Sequence, residues 1–328
     1  MNRRNVLMLG LGSAASALDS RGALTQGSYP SRPIKLVVPF SAGGVNDIIG
    51  RQWGEKMKPL LGSVIIENMG GGGGTIGVVE AGRAEPDGYT LLLGSTSTMV
   101  LNGMTMQKPP YDANRDFVPV CIICVSATSV AVNASLPVKN VKELVAYAKA
   151  NPGKLSYGSA GTGTMSHLSG ELFKQLTGMA DVVHIPYKGA GPGMADLVSG
   201  HIPMMSPNVS GQVLEFHKTG KIRILSVNTQ RRLSAAPEIP TSIEEGVPGM
   251  IGLLFLGIFA PAATPKPAVN RVAEATATAM ADKDFQAALV ASGFEPISDM
   301  GPEKSLAYIA EEHKRWAPVL ASLGMKVN

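Results

Sequence analysis

Cysteine is almost missing: Cys121 and Cys124 are the only two in 328 residues. That count excludes a disulfide framework, and no histidine or carboxylate cluster has the spacing of a metal site. Charge is also sparse, with 16% charged residues and 5% aromatics. The formal net charge is +4, and three arginines of the first 27 residues supply much of it. No basic run is interleaved with aromatics, so a nucleic-acid surface is excluded. Long apolar runs are lacking too. The best, 251–263, is interrupted by Gly252, Gly257 and Pro261 and cannot span a bilayer.

What is abundant is apolar and small. Hydrophobic residues make up 45%, with 38 glycines and 23 prolines. A chain of this length builds a large core, more readily as two domains than one, joined by many short connections. The first residues have the form of an export signal. Arg3-Arg4 precede an apolar, small-residue core over 6–17, with cleavage expected after Ala17 or near Ala23. Arg3-Arg4-Asn5-Val6-Leu7 also resembles a twin-arginine signal, so either the general or the twin-arginine export route fits. Cys121 and Cys124 lie in an apolar stretch, 120–125, that reads as a buried strand. A strand sends the two thiols to opposite faces, which favours inert core residues over a redox pair.

The chain is organised around Pro39-Phe40-Ser41-Ala42-Gly43-Gly44-Val45-Asn46-Asp47. An apolar strand, 34–38, precedes it. Val45, Ile48, Ile49, Trp53 and Met57 follow at helical spacing, in a helix expected to stop near Pro59. Glycines let backbone N–H groups approach a ligand, and a helix start favours anions. An ordinary strand-to-helix turn needs glycine as well, and this stretch alone leaves both readings open.

The same unit recurs. Strands are expected at 64–67, 89–93, 118–125, 129–132, 155–157, 182–185, 202–205, 222–227 and 253–260. Helices are expected at 76–84, 141–150, 165–176, 194–199, 213–219, 268–280, 285–292 and 302–323. The alternation predicts an α/β fold with largely parallel sheets, whose ligands bind beyond the carboxyl ends of strands. The small-residue loops all fall there. They include Ser95 and Thr96, the run from Ser159 to Thr164, Tyr187, and Ser206-Pro207-Asn208. The block 128–253 looks complete by itself, and the final helices return to the first domain. The expected division is 1–27 for signal and leader, 28–127 with 254–328 for domain 1, and 128–253 for domain 2.

Catalytic patterns are weak. Gly72-Gly73-Gly74-Thr75-Ile76-Gly77 satisfies G-x-G-x-x-G, but a five-glycine run does so almost automatically. The next strand ends in Gly94-Ser95-Thr96 and not in a ribose-binding acid. Ser159, His167 and Asp181 could supply a hydrolase triad by residue type, yet no G-x-S-x-G elbow exists. His167, in the first turn of its helix, either donates to a ligand or closes the turn. His184 reads as a satisfied core histidine, and His201, His217 and His313 as surface residues. What remains is a cleft of backbone N–H groups, hydroxyls and two helix starts, with Lys188 as the one cation on the loops. Such a site suits a small anion, plainly bound and not chemically transformed.

The ordered motifs resemble the periplasmic solute-binding proteins of tripartite tricarboxylate transporters, the Bug receptors. They are Tyr29-Pro30-Ser31-Arg32-Pro33-Ile34, Val38-Pro39-Phe40 with Gly43-Gly44 and Asp47, Glu67-Asn68 with its glycines, and Pro86-Asp87-Gly88-Tyr89-Thr90. Tyr157 with Ser159-Ala160-Gly161-Thr162-Gly163, His167-Leu168-Ser169-Gly170-Glu171, Val183-His184-Ile185-Pro186-Tyr187-Lys188-Gly189, and Ala260-Pro261 through Thr264-Pro265 complete the series. The resemblance runs from about residue 29 to the end. It implies a two-lobed, type II-like Venus-flytrap receptor with two crossovers, not an enzyme. Such a receptor needs no cofactor or metal. It is monomeric and delivers a small carboxylate, an organic acid or acidic amino acid, to membrane permease subunits. By position it assigns the carboxylate grip to Ser41, Gly43, Gly44 and Asp47 on one side. Ser159, Gly161, Thr162, Gly163, Thr164 and His167 fall on the other. Asp47 is then a residue that fixes the loop or bonds a bridging water. Ser41-Ala42 replaces the family's usual proline pair, and Ser206-Pro207-Asn208 stands where an aspartate commonly precedes the asparagine. Competing classes are a ligand-sensing adaptor for a membrane signalling protein, a hydrolase and a nucleotide-dependent enzyme.

Overall fold

The computed structural model describes residues 29–325. The export signal expected over 1–27 lies outside the described residues. The chain begins with β1 (Ile34–Val38), α1 (Val45–Leu61), β2 (Val64–Asn68), a tight glycine turn at Gly72–Gly74, α2 (Thr75–Arg83) and β3 (Thr90–Ser95). A π-helical turn, Ser97–Leu101, runs directly into α3 (Asn102–Thr105), followed by α4 (Ala113–Asp116) and β4 (Phe117–Ala127). After Thr128 come β5 (Ser129–Asn133), α5 (Val141–Ala150), β6 (Ser156–Ser159), α6 (Met165–Thr177), β7 (Val183–Pro186), α7 (Ala190–Ser199), β8 (Met204–Met205), α8 (Gly211–Lys218) and β9 (Ile222–Val227). The chain closes with β10 (Leu253–Pro261), α9 (Lys266–Met280), α10 (Lys283–Ala291), β11 (Phe294–Pro296) and α11 (Pro302–Ser322).

Two sheets result, in the orders β11-β4-β10-β3-β1-β2 and β7-β6-β8-β5-β9. Each is the centre of one lobe. Apolar helix faces cover them, with Ile49, Trp53 and Met57 of α1 buried against β1 and β3 in the first lobe. Leu172 and Phe173 of α6 are buried with Tyr157 and Met204 in the second. The sheets are mixed and not largely parallel. β1 pairs in parallel with β2 and β3, and β6 with β7 and β8. β10 runs antiparallel to β3 and β4, as β5 does to β8 and β9. The reason is topological. β5 and β10 are the strands that enter each lobe from the other, and each inserts at the fourth place counted from β7 and β2. The orders β2-β1-β3-β10-β4 and β7-β6-β8-β5-β9 are therefore the same order used twice.

Several local expectations need correction. α1 continues two residues past Pro59, because a proline in the last turn forfeits a single hydrogen bond there; Gly62, at φ 76°, then ends the helix. α7 begins at Ala190, four residues before the expected start. Pro192 lies in its first turn, where a missing N–H is harmless. Its early glycines carry no side chain to register a helical period. The hydroxyl run after β3 is helical, and β11 and α4 are too short to have a pattern. Cys121 and Cys124 are buried and unbridged, and burial pushes the Cys121 thiol up to about 11. His217 is half-buried and accepts a hydrogen bond from Ile224 N (3.2 Å), and His313 is also half-buried; neither is a plain surface residue.

The two crossings meet in one hydrogen-bonded knot. Thr128 alone separates β4 from β5, and 228–252 carries the chain back to β10. Thr128 N donates to Gly252 O (2.7 Å), Gly252 N to Asn228 O (2.9 Å) and Asn228 N to Thr128 O (2.9 Å). Asn228 Nδ2 and Ser169 Oγ both lie within 3.0 Å of Thr128 Oγ1. A Cβ on Gly252 would sit 2.1 Å from Thr128 Oγ1 and 2.5 Å from Ser169 Oγ. Gly252→Ala is expected to destabilise the protein by about 1–3 kcal/mol, the usual range for overpacking. Gly103→Ala, whose Cβ meets nothing within 4 Å, is expected to shift stability by less than about 1 kcal/mol. Urea unfolding midpoints of the two variants check this.

Candidate functional site

The site is built at the carboxyl ends of β1, β6 and β7, where three loops lead into α1, α6 and α7. The β1 loop needs Gly43 at φ 84° and enters α1 through Gly44, which offers no side-chain cap. The β7 loop enters α7 through Gly189, again without a side-chain cap. α6 is capped by its own Thr164, whose Oγ1 accepts from His167 N (3.5 Å) and donates to Gly161 O (2.6 Å). The helix starts face one another across the lobes. A Cβ on Gly44 would lie 3.5 Å from Ala190 Cβ, and one on Gly43 3.7 Å from Gly191 Cα. Three partial positive charges therefore converge with little side chain between them.

The lobes are closed on each other here. Ser41 N and Oγ both donate to Lys188 O (3.4 and 3.0 Å), while the Lys188 side chain is exposed. Met165 N, the first residue of α6, donates to Ser97 Oγ (3.0 Å). The glycine run that matches G-x-G-x-x-G serves this seam. Gly73, at φ 65°, lies so near the Thr162 carbonyl that a Cβ would be 2.6 Å from its oxygen. A small cavity of about 20 Å³ lies between Gly44, Asn46 and Ser97 of one lobe and Thr164, Ser166, Ala190 and Asn208 of the other. That volume suits one water-sized group. A larger groove of about 500 Å³ opens along Gly73, Thr105, Gly161, Thr162, Gly163, His167 and Tyr187.

The expected residues divide among these features. Gly44, Thr164 and Asn208 line the small cavity; Gly161, Thr162, Gly163, His167 and Tyr187 line the groove. Ser41 bridges the lobes. Asp47 is buried in the first turn of α1, where it accepts from Gly43 N (3.1 Å) and pairs with Arg51 (2.9 Å). Burial opposes its charge, yet these partners hold its carboxyl below the usual range. Asp47 thus shapes the loop. Ser95 and Thr96 do not line either cavity. Thr98 Oγ1 accepts from Ser95 N (3.0 Å), and Thr96 Oγ1 accepts from Phe255 N (2.8 Å), fastening β10 inside the lobe. Ser97 takes their expected place, because the chain turns helical directly after β3. Asn46, Ser97, Ser166 and Ala190 were not anticipated. Asn46 and Ser97 adjoin anticipated residues, but only the helical turn shows which neighbour faces the cavity.

Ser159 belongs to a polar stack and not to a triad. Its Oγ accepts from Gly161 N (3.1 Å) and lies 2.7 Å from His184 Nε2. Tyr157, His184 and His167 stack with ring centroids 4.9 and 4.1 Å apart. Gly163 N donates to His167 Nδ1 (3.1 Å), so the His167 ring is neutral with its proton on Nε2. Burial lowers the pKa of both histidines, that of His184 to about 4. Below the stack, Tyr157 donates to Glu171 (2.7 Å), which pairs with Lys174 (3.0 Å). Asp181 is exposed, Ser159 is fully buried, and the histidine at its hydroxyl is His184 and not His167. Among the described residues no group of histidines, cysteines and carboxylates could hold a metal ion.

Comparison with known proteins agrees with this geometry. A family model described as tripartite tricarboxylate transporter family receptor matches residues 49–325. A solved periplasmic transporter is 39% identical, the match covering 92% of this chain and all of the other, with a TM-score of 0.86. R. palustris Rpa4515, solved with adipate, is 31% identical over 91% of this chain and 99% of its own, with a TM-score of 0.87. MatC from Rhodopseudomonas palustris, solved with bound malate, is 29% identical over 89% of this chain and all of its own, with a TM-score of 0.84. Two lobes with one strand order, a seam of helix starts and these matches together establish that the chain belongs to the tripartite tricarboxylate transporter receptor family, as a periplasmic solute-binding receptor and not an enzyme.

Proposed function

We propose that this receptor captures a small carboxylate between its lobes in the periplasm and presents it to the membrane permease of a tripartite tricarboxylate transporter. The observation that carries the proposal is the convergence of three helix starts, two without side-chain caps, on an interlobe seam lined by hydroxyls and amides. A carboxylate is among the small anions such donors fit. Support comes from relatives solved with adipate and with malate. Lobe 1 comprises 28–127 and 254–328, lobe 2 comprises 128–253, and the Thr128–Asn228–Gly252 knot is the hinge. The β1 loop grips from one side through Ser41, Gly43 and Gly44. The loop from Ser159 to Thr164, held by His167, grips from the other, with Asn208 beside it.

The cavity at the seam has room for one water-sized group, so the ligand enters when the Ser41–Lys188 and Ser97–Met165 contacts part and the lobes close again around it. It then shifts the equilibrium toward closure by its differential affinity for the closed state. One chain supplies both halves of the grip, one from each lobe.

Two outcomes follow. Gly161 sits at φ 130°, and a Cβ there would lie 3.1 Å from Tyr187 O and 3.3 Å from Gly73 Cα. Gly161→Asp adds strain, bulk and negative charge, and should abolish the thermal stabilisation that the best member of a mono-, di- and tricarboxylate panel gives the native protein. Circular dichroism verifies folding, and a folded variant that keeps the stabilisation refutes the assignment. The second outcome concerns acid. His167 and His184 are neutral in the fold but titrate near 6.5 when unfolded. The unfolded chain therefore binds more protons as pH falls, and stability is lost from about pH 6.5 down toward about 4, where His184 itself protonates. Melting temperature measured from pH 7 to pH 4 should decline, and His184→Gln should flatten that decline.

A further inference from the structure

Formal charge is scarce at the interlobe site, and it stands at the rim. No lysine, arginine, aspartate or glutamate lines the small cavity, and Lys188 is the one such residue lining the larger groove. Charged groups on the neighbouring helices are engaged with one another. Asp47 pairs with Arg51 on α1, and Glu171 with Lys174 on α6. Asp196 of α7 accepts from the hydroxyl of Tyr187 (2.7 Å), the residue before Lys188. Lys188 itself is exposed and has no ion-pair partner among the described residues. Its main chain, by contrast, is fixed. Ser41 N and Oγ both donate to Lys188 O, and a Cβ on the following Gly189 would lie 2.9 Å from Ser41 N. The ammonium is therefore tethered beside the β1 loop, where the lobes meet, on a flexible four-carbon stem.

We propose that Lys188 is a steering residue: it draws an anionic ligand to the open mouth and sets the association rate, and it leaves retention to the helix starts. This rests on the carboxylate assignment above. A solvated ammonium adds little to a bound complex, because water and salt screen the contact and the flexible stem must be ordered to make it. Its field nevertheless reaches about 10 Å into solution at 0.1 M salt. Helix starts differ, since their partial charges act only over the first turn. The site thus combines short-range donors in the seam with one long-range charge outside it. A ligand arrives while the lobes are parted and the seam is incomplete, so the charge acts on capture. On closure Lys188 supplies only its carbonyl to Ser41, which the main chain of another residue can do equally well. Steering is recognised by its loss at high ionic strength, whereas a desolvated seam is screened much less.

Stopped-flow mixing separates association from dissociation. The full chain is mixed with the tightest binder of the carboxylate panel, malate and adipate included, at about 10 mM and about 1 M salt, where screening lengths are about 30 and about 3 Å. Lys188→Met should slow association at least about threefold at low salt and Lys188→Glu at least about tenfold, and both losses should vanish at high salt. Dissociation should stay within about twofold of native, and Lys188→Arg should associate at the native rate. Lys154→Met removes the same charge from an exposed turn before β6, at the end of that strand opposite the seam, and should change association by less than about 1.5-fold. An association rate indifferent to Lys188, equal losses in the Lys188→Met and Lys154→Met variants, or a loss confined to dissociation overturns the steering role and leaves the carboxylate assignment standing. No binding of any member of the panel by the native protein overturns that assignment, and this inference with it.

Discussion

The starts of α1, α6 and α7, two of them without a side-chain cap, meet at one seam, and much of the surrounding sequence follows from that constraint. Donors can meet across the seam only if no side chain intervenes. Hence Gly43, Gly44, Gly161 and Gly189 stand at the loops, with the small Ser41 and Ala190 beside them. A Cβ on Gly70 would lie 2.7 Å from Lys188 O, and one on Gly189 2.9 Å from Ser41 N. The glycine run that mimics a dinucleotide fingerprint answers the same need. It brings Gly73 against the Thr162 carbonyl, and no phosphate is required to explain it.

The repeated strand order places these loops opposite one another. β1 and β6 hold the second place in their sheets, and each delivers its loop to the same edge of its lobe. The crossing strands β5 and β10 run antiparallel to their neighbours, so both chain transfers happen at the waist. There Thr128, Asn228 and Gly252 exchange main-chain hydrogen bonds. α11 adds a third link. Trp316 and Leu320 sit in the core of the first lobe, while Ser322 O accepts from Gln175 Nε2 (2.9 Å) of α6 in the second. The waist is thus hydrogen-bonded through the main chain at both crossings, which fits its proposed role as the hinge between the lobes.

Much of this was legible in the chain because its signals are local. The β1 loop, the repeat at Ser159–Thr164 and the helical face of α1 are each readable from residue type and period. Long-range pairing was not. Whether β10 runs parallel or antiparallel depends on its partners, which periodicity cannot reveal. The same limit explains Ser95 and Thr96. Their hydroxyls fit an anion site by chemistry, but a helical turn at Ser97 rotates them inward and brings Ser97 to the seam. Residue type does not distinguish Asn46 from Asp47, its neighbour in the first turn of α1. In the fold the aspartate is satisfied by Arg51 and Gly43, and the asparagine is the residue left unpaired.

The neutral character of the proposed clamp has a physical rationale. An arginine in the seam would have to shed its water on each closure, and a buried ion pair often recovers little more than that cost. Helix starts and amides are already oriented and leave no unbalanced charge when the lobes part. Division of the donors between lobes adds a further property. The start of α1 belongs to the first lobe and those of α6 and α7 to the second, so one anion can engage both sets only when the lobes meet. A ligand that bonds both therefore has, by geometry, higher affinity for the closed state than for the open one. That difference is the free energy available to drive closure, and a ligand that engages one lobe alone would bind without bringing the two together.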